Sequence, residues 1–308
     1  MRLTRRDRPG ALAGGDLLSP AVPLVHGEVH VAGVRVHLVQ AGPDEGPLLI
    51  LLHGFPESWF GWRRQFAGLS AAGFRVAAPT GRGYDLSDKP AGIGAYAIER
   101  LTADVLGVID ELGRSAAYVV GHDWGGVVAW RLAALHPERV ERLVIINAPH
   151  PKVFRRVLLT SARQFVRSTY VLFFQLPYLS ETVLRSRDFR PLTRALLRTS
   201  RPGTFSEDDL AAYRQAWSRP GALTGMLNWY RAAARWPRRH ASVPRVRVPT
   251  LLLWGARDAA LGFELARPSI EQCDDGRLEV FDDATHWVHH EESAAVNRAI
   301  VSFFGAHA

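Results

Sequence analysis

Gly121-His122-Asp123-Trp124-Gly125 has the glycine spacing of a sharp strand-to-helix turn, G-x-Nu-x-G, with a carboxylate where serine hydrolases carry serine. Upstream, Arg114 to Val120 ends in a short apolar run suited to a buried parallel strand. Downstream, Val127, Val128, Trp130, Leu132, Ala133 and Leu135 recur at helical spacing until His136-Pro137 stops the pattern. The glycines permit the chain to fold back on itself with no Cβ atoms in the way. Two readings of Asp123 follow. It is a helix N-cap, or it is a nucleophile. An ionised carboxylate has no proton to lose, so it attacks without a base, and its natural target is an sp3 carbon bearing a departing oxygen or halide.

The chain of 308 residues is long enough for one large domain with an inserted module, and 47% hydrophobic content with 22% charge is ordinary for a globular enzyme. No apolar run approaches the roughly 20 residues needed to span a bilayer. Residues 1–24 read as a loosely ordered basic arm whose Gly14, Gly15, Asp16 and Pro20 make a poor signal-peptide core, so the expected location is cytoplasmic. One cysteine, Cys273, excludes an internal disulfide and a cysteine-rich metal site. Its neighbours Asp274 and Asp275 would raise its pKa, against a catalytic role. The net charge of +8 is concentrated in residues 151–240, which hold 17 Lys and Arg against 5 acids. No nucleic-acid signature accompanies it, so the excess reads as a solvated arginine face and no nucleic-acid partner is expected. A homodimer is compatible with the sequence, which does not set the oligomeric state.

Glu28 to Val31 and Val34 to Val39 alternate around Ala32-Gly33 as a hairpin. Strands are predicted at Pro47–Leu52, Phe74–Pro79 and Val140–Asn147, with a helix from Glu99 to Leu112. This alternation predicts an α/β fold, a mainly parallel sheet covered on both faces. Residues 149–245 then read as helices only: Val153–Arg167, Thr169–Leu176, Ser180–Arg187, Pro191–Arg198, Glu207–Ser218 and Gly221–Arg235. A strand at Val248–Gly255, a helix at Phe263–Gln272, a strand at Arg277–Phe281 and a helix at Glu292–Phe304 complete the chain. The expected division is a core at 25–148 and 246–308, interrupted by a helical lid at 149–245.

A covalent ester on Asp123 would have to be hydrolysed, and a histidine held by an acid would serve. Asp258 follows the strand ending Trp254-Gly255, and His286 follows the last strand, giving the order nucleophile, acid, histidine. The bland alternatives are a loop acid or cap for Asp258 and an exposed loop histidine for His286. His289 and His290 fall in the next helical pattern, where solvent exposure is expected. His53-Gly54-Phe55-Pro56 follows the strand expected beside the elbow; it is a plain turn, or it aims the Phe55 N–H at the same point as the Trp124 N–H to make an oxyanion hole.

His53-Gly54-Phe55-Pro56-Glu57-Ser58, the elbow through Gly126, and the late Asp258 and His286 together resemble the soluble epoxide hydrolases of the α/β-hydrolase superfamily, over roughly residues 26–305. The resemblance implies an eight-stranded, mainly parallel sheet with a helical cap. It also implies a pair of cap tyrosines that hydrogen-bond the epoxide oxygen. Tyr170, ahead of Phe174-Gln175, and Tyr230, in Asn228-Trp229-Tyr230-Arg231, match that pair; Tyr178 and Tyr213 are expected to pack the lid. Thr285 stands where many relatives have glycine. The implied substrate is a small lipophilic epoxide, bound near Phe55, Pro56, Trp124, Phe174, Met226 and Trp287, with no cofactor and no metal. A haloalkane dehalogenase would share Asp123 and His286 but lacks a use for the tyrosines. A non-catalytic binding protein of the same fold would be expected to have lost the acid, the base or the nucleophile.

Overall fold

The computed structural model describes residues 22–235 and 243–305. The expected amino-terminal arm lies almost wholly outside them, as do residues 236–242 of the expected helical insertion. Strands β1 (Val25–Val31) and β2 (Val34–Ala41) form the hairpin, turning through Ala32 and Gly33, both at positive φ. Then come β3 (Leu48–Leu52), β4 (Arg75–Pro79), β5 (Ala117–His122), β6 (Val140–Ile146), β7 (Thr250–Gly255) and β8 (Gly276–Phe281). They make one eight-stranded sheet in the order β1-β2-β4-β3-β5-β6-β7-β8. β1 and β2 are antiparallel additions at one edge, and β4, β3, β5, β6, β7 and β8 run parallel.

Helices α1 (Phe66–Ala71), α2 (Ile98–Glu111) and α3 (Trp124–Leu135) lie among the first strands. Between β6 and β7 the chain is helical: α4 (Pro151–Thr160), α5 (Ala162–Arg167), α6 (Tyr170–Phe174), α7 (Leu179–Thr199), α8 (Glu207–Ser218) and α9 (Ala222–Arg235). α10 (Ala266–Ile270), α11 (Val288–Glu291) and α12 (Ser293–Phe304) follow. The strand alternation sorts side chains into two cores. Leu48, Ile50 and Leu52 join α2 and α3 on one face, while Leu49 and Leu51 join α1 and α12 on the other. β3 is therefore apolar at every position, as a strand covered on both faces must be.

Some expected boundaries shift for local reasons. The helix expected over 153–167 breaks at Ser161, whose hydroxyl accepts the Gln164 N–H and so caps α5. Within α7 the two helices expected at 180–187 and 191–198 are both present, separated by non-helical backbone from Ser186 to Phe189. Pro191 explains the kink, since its ring clashes with the carbonyl four residues earlier. α8 follows the prediction residue for residue because Ser206 and Asp209 form a reciprocal capping box ahead of an acidic first turn. Among the described residues no helix is long and apolar enough to cross a membrane.

The helical segment is tied to the loops at the carboxyl ends of β3 and β4. Trp217 Nε1 donates to the Pro56 carbonyl at 2.6 Å, and Trp229 Nε1 donates to the Arg82 carbonyl at 3.0 Å. The loop after β3 flanks the elbow, because β3 pairs directly with β5, and β4 lies on the far side of β3.

Candidate active site

Asp123 lies between β5 and α3 with φ 50 and ψ −118, a conformation that costs a non-glycine residue on the order of 1–3 kcal/mol. The turn is tight enough that a Cβ on Gly125 would lie 2.1 Å from the Leu52 carbonyl oxygen, and one on Gly121 would lie 2.5 Å from that of Gly125. The Asp123 side chain makes no capping hydrogen bond to α3, which removes the N-cap reading. Instead Oδ1 accepts the Phe55 N–H at 2.9 Å, and Oδ2 lies 3.7 Å from His286 Nε2. The Phe55 loop is oriented by His53: the Gly81 N–H donates to its Nε2 at 3.0 Å, so Nδ1 carries the proton and donates to the Gly54 carbonyl. The other expected amide, that of Trp124, opens α3, whose first N–H groups have no intrahelical partner. Among the described residues, only the Phe55 amide is hydrogen-bonded to the carboxylate.

His286 Nδ1 is 2.7 Å from Asp258 Oδ2. Asp258 is buried and fully engaged: Oδ1 accepts the Ala260 and Leu261 amides, each at 2.8 Å, and Oδ2 also accepts Asn147 Nδ2 at 2.8 Å. Burial opposes charge on both partners. The attraction between them wins, holding the Asp258 carboxyl below its ordinary range and lifting His286 to about 9, with Asp123 and Glu57 adding to the lift. Asn147 was not singled out from sequence. It directly follows β6, at φ 42, and besides Asp258 it binds Gly255, whose N–H donates to Oδ1 at 2.8 Å. A polar residue at the carboxyl end of a buried parallel strand is the signal that marks it.

The two tyrosines arrive from α6 and α9, their rings edge to face at 6.1 Å. Tyr230 is also edge to face with Trp124 at 5.0 Å and with Phe55 at 5.2 Å, and 4.9 Å from Phe174. Tyr170 exposes 38% of its surface overall, yet its hydroxyl end is desolvated. Burial raises both hydroxyl pKa values, and the negative field of Asp123 adds to the rise in each, so both remain protonated donors at neutral pH. Of the residues expected around a ligand, Phe55, Trp124 and Phe174 surround Tyr230. Met226 is buried in the core, Pro56 is engaged through its carbonyl by Trp217, and Trp287 Nε1 donates to Thr199 Oγ1 at 2.9 Å while its ring lies 5.0 Å from His286. Separately, a cavity lined by Leu52, Arg82, Asp104, Gly125 and Trp229 includes neither Asp123 nor the tyrosines.

Two expectations are corrected. His289 and His290 are buried, not solvent-exposed, because the turn that carries them packs on Glu57. Tyr178 does not pack: it is 84% exposed, at the turn into α7, whereas Tyr213 is buried. Glu57 itself is a charge buried behind the elbow. Burial opposes its ionisation, but His290, His289 and His122 hold it well below the carboxylate range. Oε1 accepts Tyr213 Oη at 2.6 Å and His290 Nε2 at 2.7 Å. Arg63 donates to His290 Nδ1 at 3.2 Å, so His290 is the neutral tautomer that donates to Glu57. Glu57, His289 and His290 bring ligand-type atoms within 4.8 Å of one another, but the Arg63 cation and these committed hydrogen bonds disfavour a metal ion there. Thr285 anchors the His286 loop, donating from both N and Oγ1 to Glu291 at 2.8 and 2.7 Å. Cys273 is buried and its thiol pushed up to about 11, chiefly by burial, with Asp274 and Asp275 as smaller contributors.

A family model described as alpha/beta hydrolase fold matches residues 47–293. The AB hydrolase superfamily protein YfhM of Bacillus subtilis is 44% identical over 276 residues, covering 89% of this chain and 96% of that one. Epoxide hydrolase 4 of Mus musculus is 38% identical over 279 residues, covering 88% of this chain and 77% of that one. The crystal structure of Bacillus megaterium epoxide hydrolase in complex with an inhibitor superposes with a TM-score of 0.83 at 30% identity, covering 90% of this chain and 99% of that one. With the fold, the elbow and the sequence likeness in agreement, the chain belongs to the epoxide hydrolase family of the α/β-hydrolase superfamily.

Proposed function

We propose that this protein hydrolyses lipophilic epoxides to vicinal diols through a covalent ester on Asp123, with residues 149–245 serving as a cap over a core of 25–148 and 246–308. The observation that carries the reading is the pair of protonated phenols, Tyr170 and Tyr230, gathered from two helices at a carboxylate whose other neighbours are an amide donor and a histidine. An epoxide carbon becomes a good electrophile when its ring oxygen is polarised, and two O–H donors supply that polarisation.

In the first step Asp123 Oδ2 attacks the less hindered ring carbon. The C–O bond of the ring breaks, and the oxygen leaves as an alkoxide that takes a proton from the tyrosine pair. Esterification removes the charge of Asp123, one of the anions that hold the proton on His286, and so lowers the His286 pKa toward that of a working base. In the second step His286, oriented by Asp258, takes a proton from water. The water oxygen attacks the ester carbonyl, with the oxyanion held by the Phe55 and Trp124 amides. The acyl C–O bond breaks, the leaving oxygen takes the proton held by His286 to complete the diol, and the proton of the regenerated Asp123 carboxyl returns to the phenol. The aromatic rings of Phe55, Trp124 and Phe174 favour a lipophilic substrate. A cytoplasmic location is part of the same proposal.

A single turnover in oxygen-18 water tests the covalent route. The diol should be unlabelled, its new oxygen coming from Asp123, and label should appear in that carboxylate. A labelled diol would overturn the ester. Bromide release from 1-bromobutane, with no diol from styrene oxide, would assign the same aspartate to a dehalogenase.

A further inference from the structure

Among the described residues, every large apolar side chain that is more than half exposed falls between positions 159 and 179: Leu159, Phe165, Val166, Leu172, Tyr178 and Leu179. Scattered exposed apolar residues are ordinary, but six within one short stretch mark a contact surface. The stretch is held firmly from beneath. Buried Gln164 donates to the Ala260 carbonyl at 2.9 Å and accepts the Gly262 N–H at 3.0 Å. Buried Arg231 donates to the Phe174 carbonyl at 2.9 Å, to Ser180 Oγ at 3.0 Å and to Glu181 at 2.7 Å, pinning the turn between α6 and α7. Tyr178, at the tip of that turn, sits at φ 64, a strained conformation for an aromatic residue, with its side chain in solvent.

Charge selects the occupant. Residues 151–200 contain ten Lys and Arg against two acids, and Arg155, Arg156 and Arg163 are exposed on α4 and α5, the helices that carry Leu159, Phe165 and Val166. A second copy meeting this face would bring two arginine-rich rims together, which is repulsive. Nucleic acid would match the arginines and leave the aliphatic side chains unused. An anionic bilayer satisfies both features, taking the apolar tips into its interfacial layer and the arginines onto its headgroups. We propose that the α4–α7 face docks this protein reversibly on anionic lipid membranes. Tyr170 lies within the same stretch, so the docked face would stand next to the tyrosine pair, where a lipophilic substrate partitioned into the bilayer is at hand.

The test uses the full chain and liposome flotation, with vesicles of phosphatidylcholine alone or mixed with about one-third phosphatidylglycerol. Expected is flotation with the anionic vesicles only, weakened about tenfold by Leu159→Ser/Leu172→Ser/Tyr178→Ser and also by Arg155→Gln/Arg156→Gln/Arg163→Gln. Circular dichroism and a thermal melt establish that the variants, all at exposed positions, are folded. The proposal would be overturned by no flotation of the parent chain, by undiminished flotation of the serine variant, or by sedimentation showing a dimer that the serine variant converts to monomer. Binding to a nucleic-acid oligomer with none to vesicles would assign the arginines elsewhere and also sink it. Because flotation is read without turnover, its failure and a failure of the catalytic reading are separately visible.

Discussion

The Tyr213 hydroxyl, on α8, donates a 2.6 Å hydrogen bond to Glu57 Oε1, in the turn that follows β3. Both residues are buried. The bond joins the helical segment to the loop that carries the Phe55 amide, and it helps keep an ionised carboxylate out of water. Tyr213→Phe removes one donor to a buried charge and should cost about 1–3 kcal/mol of global stability. Urea unfolding at neutral pH measures it; an unchanged midpoint would mean that the surrounding histidines satisfy Glu57 without Tyr213.

Asp123 and His286 act in different steps, so their variants should fail differently. Asp123→Ala should abolish turnover with no adduct. His286→Gln should still be alkylated and should accumulate the ester, seen by intact mass as an increment equal to the epoxide. Absence of that adduct would place His286 in the alkylation step.

If Tyr170 and Tyr230 share the ring oxygen, each Tyr→Phe variant should slow alkylation by about 10²-fold and the double variant should fall near background, since loss of one preorganised donor typically costs about 10²–10³-fold. Single-turnover ester formation is the readout. The residual activity of the single variants should differ little from one another. If Tyr170→Phe were silent, a single phenol from α9 would be enough.

The division between what was legible and what was not follows from locality. Asp123, Asp258 and His286 were readable because each lies within a few residues of a strand end, so the strand pattern places it at one edge of the sheet. β3 and β5 are neighbours for the same reason, and Phe55 follows. The burial of His289 and His290 was not readable: their partner Glu57 is more than two hundred residues away, and local periodicity gave them a helix face without saying what covered it. Tyr178 failed in the opposite sense. An aromatic in an apolar run reads as core, and only the tertiary turn between α6 and α7 leaves it outside.

Asn147 should prove to be a positioning residue, acting through Asp258. Asn147→Gly tolerates the positive φ and removes the side-chain hydrogen bonds to Asp258 Oδ2, to the Gly255 carbonyl and from the Gly255 N–H. Ester hydrolysis should slow by about tenfold with little change in alkylation. The pH dependence of the hydrolysis step should shift as well, because the Asp258 carboxyl loses a donor that favours its charged form. A purely structural role would lower the melting temperature and leave that pH profile in place.

The pH dependence of stability has two limbs of opposite origin. Burial holds His37 near 3 and His122, His150, His289 and His290 near 4, against an ordinary 6.5. In that window the unfolded chain takes up protons that the folded chain refuses, so stability falls as pH drops below 6.5, each such group contributing up to about 1.4 kcal/mol per pH unit. Asp258, held below its ordinary value, acts in the same direction at lower pH. His286 is opposite in sign. Raised to about 9, its pairing with Asp258 stabilises fully below 6.5 and is lost as pH climbs from there through about 9. Stability should therefore peak near neutrality and fall steeply toward about pH 5 in urea titrations. His286→Gln should flatten the alkaline limb and leave the acid limb intact. An acid limb no steeper than the alkaline one would mean that the buried histidines carry protons in the folded chain.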